Sequence, residues 1–493
     1  MEKFLFPEPT LKKCYLVNSP LPLLSSYMKL PRLLLLWLLV SLFPISFQAQ
    51  GTKVYPNVVF ILVDDLGWKD TGFMGGEFFH TPHIDQLAAE SLVFTQAYAG
   101  AANCAPSRAC LLTGQQTTRH GIFTVGPSER GKAETRKLIP IENTDTLSHE
   151  QHTFIHLFKE KGYKTASMGK WHLSESPELQ GFDLNIAGSL RGHPGKNGYF
   201  SPYHVSPLKD GPEGENLTDR LTAEAISFIA ENKEKPFFLY IPYYAVHTPL
   251  EAKDHLVAKY QQKKQENPTD IHPVYASMVE NTDWNIGRLL NTLDSLNLSQ
   301  HTLVIFTSDN GGIASISSQA PLRAGKGSYY EGGIRVPLSM KWPGKLPAGR
   351  ITSPVSFLDF LPTFSELLDL PLDDEMDGLS LFRTVEGDTL AERSLFWHFP
   401  IYLQAYNGEK DQARDPLFRT RPGSVLRKGK WKLHHYFEDD VYELYDLETD
   451  PGEWQNLAGE FPDKLKELQS SMENYRTELQ APIPSVPNPL YKK

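Results

Sequence analysis

At 493 residues the chain is long enough for a large domain and a smaller second one. Hydrophobic residues make up 40% and charged residues 22%, ordinary proportions for a globular protein, and the formal net charge of −10 excludes the basic face that a nucleic-acid binder needs. With an acidic balance, any positive charge that meets an anionic substrate has to be focused in one site.

Residues 1–27 show no periodicity and precede a second possible start at Met28. From there a short basic stretch, Met28 to Arg32, leads into the apolar run Leu33 to Phe47 and then Gln48-Ala49-Gln50-Gly51. That layout is a secretory signal over 28–49, cut after Ala49. A membrane anchor is the alternative, but the run is shorter than a spanning helix needs, and no stable membrane insertion is expected. The mature chain is expected to be secreted or periplasmic.

Asn57 to Val63 is an almost unbroken apolar and β-branched run, the pattern of a strand buried on both faces, and it ends at Asp64-Asp65. His83 to Glu90 reads as a helix. Lys164 to Met168 reads as a strand leading into Gly169-Lys170-Trp171-His172. Pro236 to Ile241 is a third strand, followed by Ala245-Val246-His247. An amphipathic helix spans Pro273 to Leu298, with Val274, Met278, Ile286, Leu289, Leu290 and Leu293 at helical intervals. Thr302 to Thr307 is a fourth strand, ending at Ser308-Asp309-Asn310.

Strands alternating with helices predict an α/β fold, a large doubly wound, mostly parallel mixed sheet sandwiched by helices. Such sheets collect ligands at the C-terminal ends of their strands, where the acids and histidines of this chain fall. Past Asp373-Asp374-Glu375 the texture changes. Short strands at Leu395 to Pro400, Ser424 to Arg427, Trp431 to Leu433 and Tyr442 to Tyr445 predict an antiparallel sheet, and Asp463 to Leu479 a terminal helix. The expected organisation is therefore a main domain over 50–385 and an α+β subdomain over 386–493.

Asp64 and Asp65 close one strand, and Asp309 and Asn310 another. Three carboxylates and an amide oxygen are hard ligands that suit calcium or magnesium and disfavour zinc. Lys170 and His172, two residues apart, would share one side of an extended segment. The run Cys104-Ala105-Pro106-Ser107-Arg108, continuing to Thr113-Gly114, adds a cysteine before a helix with an arginine four residues on.

Together these stretches, with Arg323-Ala324-Gly325-Lys326-Gly327-Ser328 and Glu331 to Pro337, resemble the sulfatase family, whose fold is alkaline-phosphatase-like. The resemblance runs from about Pro56 to the C-terminus. It implies that Cys104 is oxidised to formylglycine (3-oxoalanine) by a formylglycine-generating or anaerobic sulfatase-maturating enzyme. A hydrated aldehyde carries two hydroxyls on one carbon, so one attacks sulfur and the other expels sulfate. It implies one Ca2+ per chain held by Asp64, Asp65, Asp309, Asn310 and the residue at Cys104. It also implies that Arg108 stabilises the nucleophile, that Lys170 and Lys326 bind sulfate, that His172 acts on the hydrate, and that His247 stands by the leaving oxygen. Two departures appear: Cys110 stands where the family commonly has alanine, and Gln115 where it often has a basic residue. Cys14 leaves with the leader, so conversion of Cys104 leaves Cys110 without a disulfide partner, which fits a bacterial envelope.

The substrate expected on this resemblance is a sulfated carbohydrate, from algal polysaccharide such as galactan or ulvan or from glycosaminoglycan. Trp397, His398 and Tyr402 are candidates to line its pocket, with core packing the favoured reading for Trp397. Two rivals remain: a formylglycine-dependent phosphonate monoester or phosphodiester hydrolase, and a non-catalytic glycan-binding protein on the same scaffold.

Overall fold

The computed structural model describes residues 55–195, 197–371, 376–385 and 393–492. The leader and signal segment expected over 1–49 lie outside the described residues. From Tyr55 onward the chain forms one compact unit. Its main sheet has nine strands: β1 (Asn57–Val63), β2 (Leu92–Tyr98), β3 (Lys164–Met168), β4 (Leu184–Ile186), β5 (Phe237–Pro242), β6 (Thr302–Ser308), β7 (Arg335–Lys341), β8 (Gly349–Ile351) and β9 (Val355–Ser356). They lie in the order β4-β3-β5-β1-β6-β7-β2-β8, with β9 also on β2.

Among these strands β7 alone is reversed. It runs antiparallel to β6 on one side and to β2 on the other, while every other pairing is parallel. The C-terminal ends of β1, β2, β3, β5 and β6 therefore share an edge with the N-terminal end of β7.

The central strand shows why the apolar run carries no alternation. Val59, Ile61 and Val63 enter one core with the helices Pro82–Ala89, Leu217–Glu231 and Pro273–Ser295. Val58, Phe60 and Leu62 enter a second core with the helices Cys104–Thr113, Phe154–Glu160 and Phe360–Leu367. Successive side chains point to opposite faces, and both faces are covered.

The C-terminal sheet comprises β10 (Ser394–Phe399), β13 (Gly423–Lys428), β14 (Trp431–Tyr436) and β15 (Val441–Asp446), all antiparallel, in the order β10-β13-β14-β15. Between its first two strands a small hairpin pairs β11 (Leu403–Gln404) with β12 (Phe418–Thr420). Helix Pro462–Glu478 covers one face through Leu468 and Met472 against Phe396, Leu426, Leu433 and Leu444. The other face packs Leu395, Trp397, Phe399 and Val425 against Tyr98, Phe123, Tyr329 and Ile334 of the main fold. The change of texture expected near 385 adjoins residues 386–392, which lie outside the described residues. Among the described residues no helix is long and apolar enough to cross a membrane.

The core reading of Trp397 holds, and the pocket role expected of His398 and Tyr402 fails. Trp397, His398 and Tyr402 are at most 2% exposed and line no sugar pocket. Trp397 Nε1 donates to the Ala99 carbonyl at 2.9 Å. His398 sits between Ser424 Oγ at 2.9 Å and the Pro482 carbonyl at 3.0 Å. Tyr402 accepts from the Leu138 amide at 3.0 Å and donates to Glu438. Trp397 and His398 lie on β10, a strand covered on both faces, and Tyr402 is enclosed by the Leu138 backbone and Glu438, so packing takes all three rings.

Candidate active site

The residues expected to react, bind sulfate or hold the metal all reach the shared edge. Asp64 and Asp65 follow β1, Asp309 and Asn310 follow β6, His247 follows β5, and Lys170 and His172 follow β3. Cys104 opens the helix after β2, and Lys326 lies in the loop before β7, which arrives at this edge because that strand is reversed.

The thiol of Cys104, 2% exposed, lies 3.4 Å from Asp64 Oδ1 and 3.9 Å from Asp65 Oδ1. Lys170 Nζ donates to Asp64 Oδ2 at 2.6 Å, and Lys326 Nζ to Asp65 Oδ2 at 2.7 Å. One helical turn beyond Cys104, Arg108 Nε donates to Asp309 Oδ2 at 2.9 Å, and its Nη1 to the Lys170 carbonyl at 2.5 Å. Three carboxylates thus oppose two ammonium groups and one guanidinium, all buried.

Burial drives the Asp64 carboxyl above its ordinary range, and Asp309 and Asp65 add to this while Lys170 and Arg108 oppose it. Burial pulls Asp65 the same way, but Lys326, His247 and Lys170 hold it below the usual carboxylate range. Asp309 is likewise held low against burial by Arg108 and Lys170. Burial, with Asp64 reinforcing it, pushes the Cys104 thiol up to about 12. As a thiol it stays protonated and is a weak nucleophile.

The acids can receive a cation. Ligand atoms of Asp64, Asp65, Cys104 and Asp309 all lie within 4.8 Å of one another. Asn310 Nδ2 donates to Asp65 Oδ1 at 2.8 Å, while its Oδ1 is buried without a hydrogen-bond partner. A buried acceptor left unpaired is costly, and a hard cation is what three carboxylates and that oxygen can share.

With no substrate bound, burial biases both histidines toward the neutral form. Burial, with Lys326 and Lys170 nearby, lowers His247 to about 3. Its Nδ1 lies 2.6 Å from the Thr248 carbonyl and so carries the proton, which leaves Nε2 facing Asp65 Oδ2 at 3.7 Å. His172 is lowered well below the ordinary value by burial and by Lys170, Arg108 and Lys326, and its Nδ1 has no partner. Contrary to expectation the Lys170–His172 stretch is not extended. The strand β3 stops at Met168, Gly169 has φ +134°, and His172 has φ +65°. A Cβ on Gly169 would lie 2.1 Å from the Pro242 carbonyl oxygen, which accepts from the Lys170 amide at 2.7 Å. Only glycine lets the chain turn there and send Lys170 inward.

The structure adds supports that the sequence did not reveal. Ser107 Oγ donates to the Asp309 carbonyl at 2.5 Å, and Ser308 Oγ accepts from the Leu66 amide at 3.0 Å. Tyr199 donates to the carbonyls of Tyr244 at 2.6 Å and His247 at 2.8 Å. Ser107 and Ser308 adjoin residues already marked as functional, whereas nothing local marks Tyr199. The two departures stay clear of the cluster. Cys110 is buried with Sγ 3.5 Å from His120 Nε2, and Gln115 accepts from Gln151 at 2.9 Å.

Comparison with known proteins gives the family. Residues 56–370 match the family described as Sulfatase, and residues 325–481 that described as N-sulphoglucosamine sulphohydrolase, C-terminal. The chain is 32% identical to a protein of Formosa agariphila named Sulfatase, over 89% of this chain and 91% of that one. It is 32% identical to the N-acetylgalactosamine-6-sulfatase of Canis lupus familiaris, over 86% of this chain and 80% of the relative. Among solved structures, Ps i-CgsB in complex with k-i-k-neocarrahexaose superimposes with a TM-score of 0.70 at 30% identity, covering 85% of this chain and 92% of that one.

Proposed function

The chain belongs to the sulfatase family and is a sulfuric ester hydrolase, and on that premise we propose that it removes sulfate from sugars of a sulfated polysaccharide through a formylglycine made from Cys104. The observation that carries this reading is the convergence of the Cys104 thiol, three carboxylates and three cations on one buried edge. The relatives named for sulfated sugars support the substrate class.

Asp64, Asp65, Asp309 and Asn310, with the modified Cys104 side chain, would hold one Ca2+, which when bound neutralises sulfate oxygens as a Lewis acid. At Cys104 a hydrated aldehyde offers an attacking hydroxyl that the protonated thiol does not. Lys170 and Lys326 bind and orient the sulfate from two sides, since each already holds one carboxylate of the cradle. Arg108 fixes Asp309 and the Lys170 carbonyl and stabilises negative charge at the nucleophile. His172, with an unpaired ring nitrogen, takes a proton from the hydrate. His247, with Nδ1–H committed to Thr248, presents Nε2 to the leaving oxygen, and it acts as an acid there once the bound sulfate offsets the charges of Lys326 and Lys170 and Nε2 has taken up a proton from solvent.

Maturation requires a formylglycine-generating or anaerobic maturating enzyme acting before Cys104 is enclosed. The signal over 28–49 would deliver the chain to a bacterial periplasm or the exterior. Mass spectrometry of the peptide containing Cys104, with sulfate release from sulfated galactan and glycosaminoglycan oligosaccharides, tests the reading. An aldehyde at Cys104 and sulfate release are expected. An unmodified cysteine in active protein, or release of phosphonate esters alone, overturns it.

A further inference from the structure

The hairpin of the C-terminal region carries three arginines with different company. Arg414 pairs with Asp439 at 2.7 Å, and Arg421 with Asp415 at 2.5 Å and with Glu438 at 2.5 Å. Arg419 has no carboxylate within 4.0 Å among the described residues, although it is only 6% exposed. Its Nε and Nη1 donate to the carbonyls of Gln404 and Lys326, both at 2.9 Å. The guanidinium is thus wedged against the backbone of a residue proposed above to bind sulfate.

Arg419 also lies 3.5 Å from the ring centroid of Tyr406, which is 52% exposed. A second cation approaches from the loop following the nucleophile. That loop is tied to Asn103, which precedes Cys104, by Asn103 Nδ2 donating to Thr124 Oγ1 at 3.1 Å. It reaches the hairpin where Gly131 packs on the Phe418 ring, beside Arg419. Arg130 in this loop donates to the Val125 carbonyl and has no carboxylate within 4.0 Å among the described residues. Burial and the nearby Arg419 both disfavour its charge. Two guanidinium groups, one disfavouring the charge of the other and neither paired to an acid among the described residues, are destabilising in isolation, and an incoming anion relieves both.

We propose that Arg419, Arg130 and Tyr406 form a second anion subsite beside the scissile sulfate. It takes a further negatively charged substituent, a sulfate ester or a carboxylate, on the same or the adjoining sugar. The substrate class is then a multiply charged glycan rather than a singly sulfated one. This rests on the sulfatase reading above.

The experiment compares kcat/KM on nitrophenyl sulfate, on a singly sulfated oligosaccharide, on a disulfated neutral oligosaccharide and on a sulfated oligosaccharide containing a uronate. Wild-type enzyme should prefer one of the two doubly charged sugars over the singly sulfated one. Arg130→Gln should reduce that preference about ten- to hundredfold, the worth of a charge-assisted hydrogen bond. Which sugar loses more identifies sulfate or carboxylate as the second anion. Tyr406→Leu, further from the packed backbone, should reduce the same preference. In a Cys104→Ala background, calorimetry should show the same loss of affinity for the doubly charged sugar without turnover. A preference unchanged within twofold in both variants, with wild type active, overturns the subsite alone. No sulfate release by wild type from any substrate overturns the sulfatase reading instead, and the calorimetry then still decides the subsite.

Discussion

Asp65 and Asn310 meet at 2.8 Å across two neighbouring strands, the amide Nδ2 donating to the carboxylate Oδ1. The contact turns the Asn310 oxygen to a position where no protein donor reaches it. Adjacent strands ending in Asp-Asp and Asp-Asn therefore leave an acceptor that only a cation or water can satisfy.

If the cradle holds calcium, the metal should stabilise the fold as well as serve turnover. Calcium at a hundredfold above its dissociation constant should add about 2.7 kcal/mol. That gain should appear as a raised unfolding midpoint in the matured protein, with zinc giving less. Asp65→Ala and Asn310→Leu should remove most of the calcium-dependent shift. A midpoint indifferent to calcium after chelation, in protein verified free of metal, would contradict the site.

Cys104 is buried, small and not paired to another cysteine, so Cys104→Ala should fold with little loss of stability. Turnover should vanish, and Cys104→Ser should be equally inactive in a host that modifies only cysteine. Sulfate release above background by either variant, measured by ion chromatography, would remove Cys104 from the reaction.

His247 and Lys326 both approach Asp65, yet they should fail differently. A sugar alkoxide needs a proton as it leaves, and a nitrophenolate does not. His247→Ala should therefore cost about 10²–10⁴-fold on a sulfated sugar and far less on nitrophenyl sulfate. Lys326→Met should reduce both alike, because it holds the group they share. Equal losses on both substrates for His247→Ala would recast it as a sulfate ligand.

The acid limit of stability has an identifiable contributor away from the site. Burial lowers His398 to about 3, with Arg476 nearby adding to the effect and the Pro482 carbonyl opposing it. An unfolded histidine titrates near 6.5. Between these values the unfolded chain binds the proton and the folded chain does not, so stability is full above about pH 6.5 and falls as pH drops toward 3. The slope is about 1.4 kcal/mol per pH unit for one such group. His398→Gln should flatten the decline in urea-unfolding free energy between pH 6 and 4. An unchanged slope would show that other groups set it.

Much of the site was legible because its residues lie in short stretches of sequence. A run such as Asn57 to Val63 can only be a strand buried on both faces, and the acids that follow it must then stand at a strand end. Cys104 was legible by its resemblance to the sulfatase signature, and helical spacing then placed Arg108 beside it. Lys326 was legible by resemblance, but not the reversal of β7 that brings it to the edge, because the strand's direction depends on its partners. His398 and Tyr402 misled for a related reason, since side-chain type does not tell which surfaces another part of the chain will cover. Tyr199, 48 residues from the His247 backbone it supports, had no local mark at all.

The four acidic and amide side chains of the cradle hang from β1 and β6, two paired strands in the middle of the sheet with all their residues buried. Such strands open only when the whole molecule does. The cradle accordingly has no private way to melt: heating should leave the enzyme either fully competent or unfolded, with inactivation and loss of structure following one curve and no warm, folded, inert form between them.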